Sequence, residues 1–310
     1  MRVREGTNPS GVHFLRDRTV IAGLVRSAGV GPGDLVVEFG AGPGVITAAL
    51  AGTGARVLAV ERDDAFVRRL RRRFADRPVR VVHEDLRRVP LPTRPYAVVA
   101  NLPFGVTTAA LRRLLDGDGP LVGADLLVEW GLARRLTEPV PRDAGTAWWA
   151  ARYGLHIARR VPPSAFSPAP RVAAAHLRIR PRTVDPRTLR TLRALLAAAY
   201  RRPDASVAAA LGTVLTHGRA HRLARSTGIS PPAPAGTVTP TQWLALATGA
   251  TDGDPRAAED PAHRGSRAAT GAAGGGTQAA DGGSRRATGL GRRRAPLGTG
   301  EQRARRRSGT

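Results

Sequence analysis

Cysteine is absent from this chain, and so is lysine. Without thiols there are no disulfides and no thiolate metal sites, which fits a reducing compartment. Without lysine, all 49 basic residues are arginine, a side chain that is always charged. Its planar donor fork suits phosphate, and it also stacks on bases. Long apolar runs are missing too. The opening stretch MRVREGTNPSGVHFLRDRTV has no apolar segment of the signal-peptide kind, and no later run approaches the roughly 18 residues of a membrane-spanning helix. A cytoplasmic protein with no membrane partner is expected. Acidic residues are scarce, 24 against 49 basic ones, for a net charge of +25 over 310 residues. Such an excess favours a polyanionic partner, most simply nucleic acid.

Beyond residue 250 there is no aromatic, and the only large aliphatics are Leu290 and Leu297. A segment of Gly, Ala, Arg and Ser cannot bury enough apolar surface to offset its ordering entropy, so residues 250–310 read as a disordered Arg/Gly-rich tail. The tail holds 12 Arg against 6 acidic residues, a net of +6, so the other +19 belongs to residues 1–249. Candidate RNA footprints there are the pairs Arg112/Arg113, Arg134/Arg135, Arg159/Arg160 and Arg201/Arg202.

What is present, from residue 35 to 180, is an alternation of apolar β-branched runs with helical patterns. The strand candidates are LVVEF (35–39), RVLAVE (56–61), VRVVHED (79–85), YAVVAN (96–101) and ADLLVEW (124–130). Near-continuous apolar strands separated by helices indicate an α/β fold with a parallel sheet covered on both faces. Two later runs, YGLHIARRV and AAAHLRIR, sit close together across a Pro-rich link, as an antiparallel end of that sheet would. Residues 184–249 are Leu/Ala-rich at helical spacing and read as a small all-α domain; TPTQWLALAT opens on an N-cap-like Thr. The expected organisation is a catalytic domain over 1–183, a helical RNA-binding domain over 184–249, and the tail.

The first strand runs into EFGAGPGVIT, with Gly40, Gly42 and Gly44 after Glu38. Glycines at a strand–helix turn let the backbone approach a ligand. A dinucleotide fingerprint needs a third glycine at residue 45, which is Val here. Glu61 ends the second strand, 21 positions after Gly40, where a carboxylate can accept hydrogen bonds from a ribose diol. Asp85 ends the third strand in HEDL, where it can receive an adenine exocyclic amine. All three lie at the carboxyl ends of successive strands, where such sheets bind ligands.

YAVVANLPF, at the end of the fourth strand, supplies a different chemistry. The N6 amine of adenine is a poor nucleophile because its lone pair is delocalised into the ring. Two acceptors for its N–H groups, the Asn101 side-chain oxygen and the Leu102 carbonyl, would favour a more available lone pair. Pro103 would fix the turn that aims them, and Phe104 would stack on a base drawn out of its helix or loop. No acidic general base is needed, since the amine can shed its proton after attack.

The Gly-x-Gly-x-Gly turn after an acidic residue resembles motif I of S-adenosylmethionine methyltransferases. Taken with GVHFL, VERD, EDLR, NLPFGVTT, FSPAPRV and the C-terminal helices, residues 8–249 resemble the rRNA adenine-N6 methyltransferases. That family contains the Erm macrolide-resistance enzymes and the KsgA-like small-subunit dimethylases. The resemblance implies a Rossmann-like fold and S-adenosylmethionine as co-substrate, with no metal. By motif matching the cofactor contacts are His13, Leu15, Gly40, Gly42, Glu61, Asp85 and Asn101. The catalytic set is Asn101, Leu102, Pro103, Phe104 and Phe166, the last placed across the target base from Phe104. One departure stands out: where the family begins its N-terminal motif with Gln, this chain has Val12, so any contact of that amide is lost. NLPFGVTTAALRRLL, with Phe after Pro, is most similar to actinobacterial Erm enzymes. It implies a monomer acting on one adenine in the peptidyl-transferase loop of large-subunit rRNA, before or during ribosome assembly. The alternative is the KsgA-type small-subunit reaction.

Overall fold

The computed structural model describes residues 12–252; the expected tail lies almost wholly outside them. Strands and helices alternate from the start. In chain order they are β1 (Phe14–Leu15), α1 (Arg18–Ala28), β2 (Leu35–Phe39), α2 (Val45–Ala51), β3 (Arg56–Glu61), α3 (Asp64–Arg73), β4 (Val79–His83) and β5 (Tyr96–Asn101). There follow α4 (Thr107–Leu115), β6 (Leu121–Glu129), α5 (Trp130–Leu136), α6 (Ala144–Arg152), β7 (Tyr153–Val161), β8 (Phe166–Ser167) and β9 (Ala174–Pro181). Four helices close the described chain: α7 (Pro186–Arg201), α8 (Val207–Leu211), α9 (His217–Ser226) and α10 (Pro240–Asp252).

Seven strands form one sheet in the order β4-β3-β2-β5-β6-β9-β7. β2 to β6 run parallel, and β9 pairs antiparallel with both β6 and β7, which makes the antiparallel end expected from the two late runs. Strand alternation sorts side chains between two cores. From β5 and β6, Val98, Ala100, Leu126 and Val128 join the core that includes α4, α6 and the C-terminal helices. Ala97, Val99 and Leu127 point to the other, shared with α1 and α2. Both faces are covered, so these strands carry no polar alternation.

Helix starts follow their caps. Asp17 accepts the Thr19 and Val20 amides at the head of α1, and Asp63 those of Ala65 and Phe66 at the head of α3. Asp185 does the same for α7, where Pro186 occupies the first turn. The expected Thr cap is Thr239, which exchanges hydrogen bonds with Gln242 before α10. That helix continues to Asp252, past the residue 249 boundary read from composition.

Candidate active site

β5 delivers the NLPF turn. Its six residues are apolar and buried up to Ala100, so the strand is held rigidly and Asn101 emerges at its carboxyl end. The turn is then tied on both sides: the Leu102 amide donates to the Leu127 carbonyl of β6 at 3.1 Å, and the Pro103 carbonyl accepts from the Val106 amide and the Thr107 hydroxyl. Asn101 Nδ2 donates to the His13 carbonyl at 2.7 Å. A carbonyl can only accept, so this bond fixes the amide's orientation and leaves Oδ1 as the open acceptor. The Leu102 carbonyl receives no hydrogen bond from the described residues. Two unsatisfied acceptors thus flank one turn.

The segment that holds Asn101 is itself held from far along the chain. β1 pairs with β8, Phe14 opposite Ser167 and Leu15 opposite Phe166. The His13 ring Nδ1–H donates to the Pro168 carbonyl at 2.8 Å, and the Arg16 amide to Ala165. His13, Asn101, Phe104 and Phe166 therefore meet at one small crevice, with the His13 and Phe104 rings 5.9 Å apart. Phe104 is half-buried, but Phe166 is only 5% exposed, within the α1/α2-side core. Leu15 is buried as well.

Beside the crevice lies a cavity of about 410 Å³ over the carboxyl ends of β2 to β5. Gly40, Gly42, Glu61, Asp85, Asn101 and Pro103 all line it. His13 and Leu15 do not; Phe14 and Val12 take that place. Gly42 has φ +49°, and a Cβ there would come within 3.1 Å of the Phe14 ring. Its amide donates to Glu61 Oε2 at 2.8 Å, while Glu61 Oε1 accepts the Arg62 and Asp63 amides. A carboxylate has about four acceptor sites, so one remains, on Oε2. Asp85 is engaged more fully than expected: Arg87 donates to it from the amide, Nε and Nη2, and these bonds hold its carboxyl down at about 2. Deeper still, Glu38 is buried with the Thr47 hydroxyl donating to it at 2.5 Å. Burial pushes its carboxyl up to about 8 despite that bond, so it is neutral at pH 7.

Some aromatic residues at or near the site were not among the expected contacts. Phe14 and Phe66 pack edge to face, 5.4 Å apart, on the cavity wall. Trp130 stands where β6 ends, beside the NLPF turn in the sheet order, with the Arg160 guanidinium 5.4 Å from its ring. Of the arginine pairs, Arg113 is structural, donating to the Arg87 and Val89 carbonyls. Arg112, Arg134, Arg135, Arg159, Arg201 and Arg202 are exposed. No group of three potential metal ligands occurs among the described residues, and none of their helices is long and apolar enough to cross a membrane.

A strand-end cavity walled by glycines and carboxylates thus adjoins an Asn-Leu-Pro-Phe turn with two open acceptors. The family model described as ribosomal RNA adenine dimethylase matches residues 6–252. The chain belongs to that family. As a family member it is an rRNA adenine-N6 methyltransferase, and the family implies S-adenosylmethionine as co-substrate. The chain is 30% identical to an rRNA adenine N-6-methyltransferase of Bacillus licheniformis over 247 residues, covering 78% of this chain and 86% of that one. It is 38% identical to the mycinamicin-resistance protein MyrB of Micromonospora griseorubida, over 68% of each. A ribosomal RNA small subunit methyltransferase A of Synechococcus is 37% identical over 56% of this chain and 66% of its own. Among solved structures, the 23S rRNA methyltransferase ErmE superposes with a TM-score of 0.68 at 25% identity, covering 77% of this chain and 99% of that one. The cavity suits the family's co-substrate. Its volume is that of a small-molecule site, and Glu61 keeps an acceptor for a hydroxyl.

Proposed function

We propose that this methyltransferase modifies N6 of one adenine in the peptidyl-transferase loop of 23S rRNA and so confers macrolide-type resistance. The observation that carries the chemistry is the Asn101 amide, whose Nδ2 is taken by the His13 carbonyl so that Oδ1 is left without a partner beside an unbonded Leu102 carbonyl. In this reading Oδ1 and the Leu102 carbonyl accept the two N–H groups of the target amine. Pro103 holds the turn, Phe104 stacks on the base, and Phe166 closes the far side of the crevice. Glu61 takes a ribose hydroxyl with its remaining lone pair, Asp85 faces the adenine amine, and Gly40 and Gly42 admit the ligand. His13 and Leu15 act through position rather than from the cavity wall, one by holding Asn101 and the other by anchoring β1. Bound there, S-adenosylmethionine supplies an electrophilic sulfonium methyl. Residues 184–249 serve as an RNA-binding helical region. The protein works as a cytoplasmic monomer without metal, on rRNA before or during ribosome assembly.

The large-subunit target is supported by the likeness to MyrB and ErmE and by Phe104 in the NLPF motif. The small-subunit reading has its own support in the Synechococcus relative. Labelled S-adenosylmethionine, naked large- and small-subunit rRNA and primer extension separate them. A stop within the peptidyl-transferase loop is expected. A stop only in small-subunit rRNA would overturn the target while leaving the chemistry intact.

A further inference from the structure

A second cavity, of about 570 Å³, opens at the opposite end of the sheet, where β6 and β7 begin and β9 ends, beneath the first turns of α7. The six residues of β5, at about 3.3 Å each, set it roughly 20 Å from the NLPF turn. Its floor is aromatic and aliphatic, with Leu121, Trp148, Tyr153 and Leu189. Its rim is cationic. Arg182, Arg190 and Arg193 line it, and none of their guanidinium groups has a hydrogen bond or ion pair among the described residues. The single carboxylate on the lining, Asp118, is 90% exposed and already paired with Arg152. Arg152 is spent on the 115–118 turn, donating to the Leu115 and Gly117 carbonyls as well.

Three guanidinium groups with no carboxylate partner around one cavity, one of them laid on the Trp148 ring, favour an anion. The floor asks for something more than phosphate. Trp148 is flanked by the Arg152 and Arg193 guanidinium groups, at 4.8 and 4.6 Å from its ring, and its buried Nε1–H has no acceptor. A guanidinium plane laid on an aromatic ring, with further cations around it, offers a base a stacking surface and its phosphates their partners, as single-stranded nucleic acid recognition requires.

We infer that this cavity is a second RNA site, which takes an unpaired nucleotide of the rRNA substrate remote from the methylated adenine. The base stacks on the outer face of the exposed Arg193 guanidinium, itself laid on the Trp148 ring, and the flanking phosphates sit among Arg182 and Arg190. The site serves whichever rRNA is methylated, because nothing in it depends on the identity of the target loop. Its effect is on capture of long RNA, and a hairpin confined to the target loop leaves it empty.

The test compares the full chain with a triple variant, Arg182→Gln, Arg190→Gln and Arg193→Gln, on the rRNA identified by primer extension. Both proteins are assayed on that whole rRNA and on a hairpin holding only its target loop. For the long RNA, KM should rise about tenfold with kcat within twofold. Its binding should also lose about 1.4 from the slope of log affinity against log salt, near 0.7 for each of the two single-strand phosphate contacts removed. Hairpin kinetics and the thermal midpoint should stay as in the parent chain. A triple Lys variant should recover that salt slope, since charge is kept. Unchanged KM on the long RNA would overturn the inference, and so would an equal loss on the hairpin, which would place these arginines in the primary site or the fold. A nucleoside monophosphate that stabilises the parent chain but not the Gln variant, and that long rRNA fails to displace, would make this a free-nucleotide site and overturn the RNA assignment.

Discussion

The two ends of the parallel strands have opposite electrostatic character. At the carboxyl end, in a chain with twice as many basic as acidic residues, the cavity is walled by Glu61, Asp63, Glu84 and Asp85, with Arg62 as the cation on its lining. At the amino end the cavity gathers Arg152, Arg182, Arg190 and Arg193 around one exposed Asp118. Net charge therefore says little about either ligand; local composition says more. Carboxylates suit a co-substrate that carries a sulfonium, an ammonium and ribose hydroxyls, while free guanidinium groups suit phosphodiesters. A +25 chain that served only to bind RNA would have no reason to place four carboxylates around one cavity.

The sharpest way to break this division is at the boundary between cofactor and RNA chemistry. Asn101→Ala should lower kcat by about 10²–10³, the usual cost of losing a transition-state hydrogen bond in a dry site, while S-adenosylmethionine binding falls only modestly. Single-turnover methylation and equilibrium dialysis measure the two separately, and near-parental turnover would remove NLPF from the chemistry. Glu61→Gln comes next. It replaces a charged acceptor of three amides by a weaker one, and hydrogen bonds to charged groups contribute about 1.5–3 kcal/mol each. Calorimetry should show cofactor affinity falling roughly 10- to 100-fold, with long-RNA binding untouched. A loss of RNA binding instead would merge the two sites.

Smaller effects sharpen the comparison. Phe104→Ala should cost about 1–3 kcal/mol of base stacking, read as a raised KM for RNA, and Phe104→Tyr should retain activity because the ring still stacks. The last effect falls on stability rather than on activity. Glu38 is ionised above about 4.5 when unfolded and only above about 8 when folded, so the folded chain binds the extra proton between those values. Its contribution is fully present below pH 4.5 and is lost as pH rises through 8. Thermal unfolding from pH 5 to 9 should decline less in Glu38→Gln than in the parent chain. Parallel curves would mean that Glu38 is ionised in the fold.

Much of this was legible because the strands are buried on both faces. LVVEF, RVLAVE and YAVVAN match β2, β3 and β5 residue for residue, and TTAALRRLL matches α4. β6 begins three residues before the expected ADLLVEW, since Gly123 interrupts the apolar signal. α9 carried no clear pattern, its buried face being only Ala220 and Ala224. In the site, Glu61 and Asn101 end β3 and β5, Gly40 follows β2 directly, and Asp85 lies two residues past β4, which stops at His83 rather than at the expected residue 85; all four converge because they sit at the carboxyl edge of one parallel sheet. That Phe14 of GVHFL, rather than His13 or Leu15, faces the cavity was not legible, because it is set by the pairing of β1 with β8, about 150 residues away. The distal cavity was hidden for the same reason. Its arginines come from two elements and a linker, and no local spacing links Arg193 to Trp148.

The hydrogen bond from Asn101 to the His13 carbonyl has a pharmacological consequence. The acceptor that the target base needs is aimed by a short main-chain segment, and that segment is fastened to the rest of the protein by two β-bridge pairs and the His13–Pro168 bond. A compound that captured residues 12–15 in another conformation would leave the Asn101 amide free to rotate. Such a compound would also draw Val12 and Phe14 from the wall of the strand-end cavity, so by reciprocity a ligand held in that cavity would oppose it.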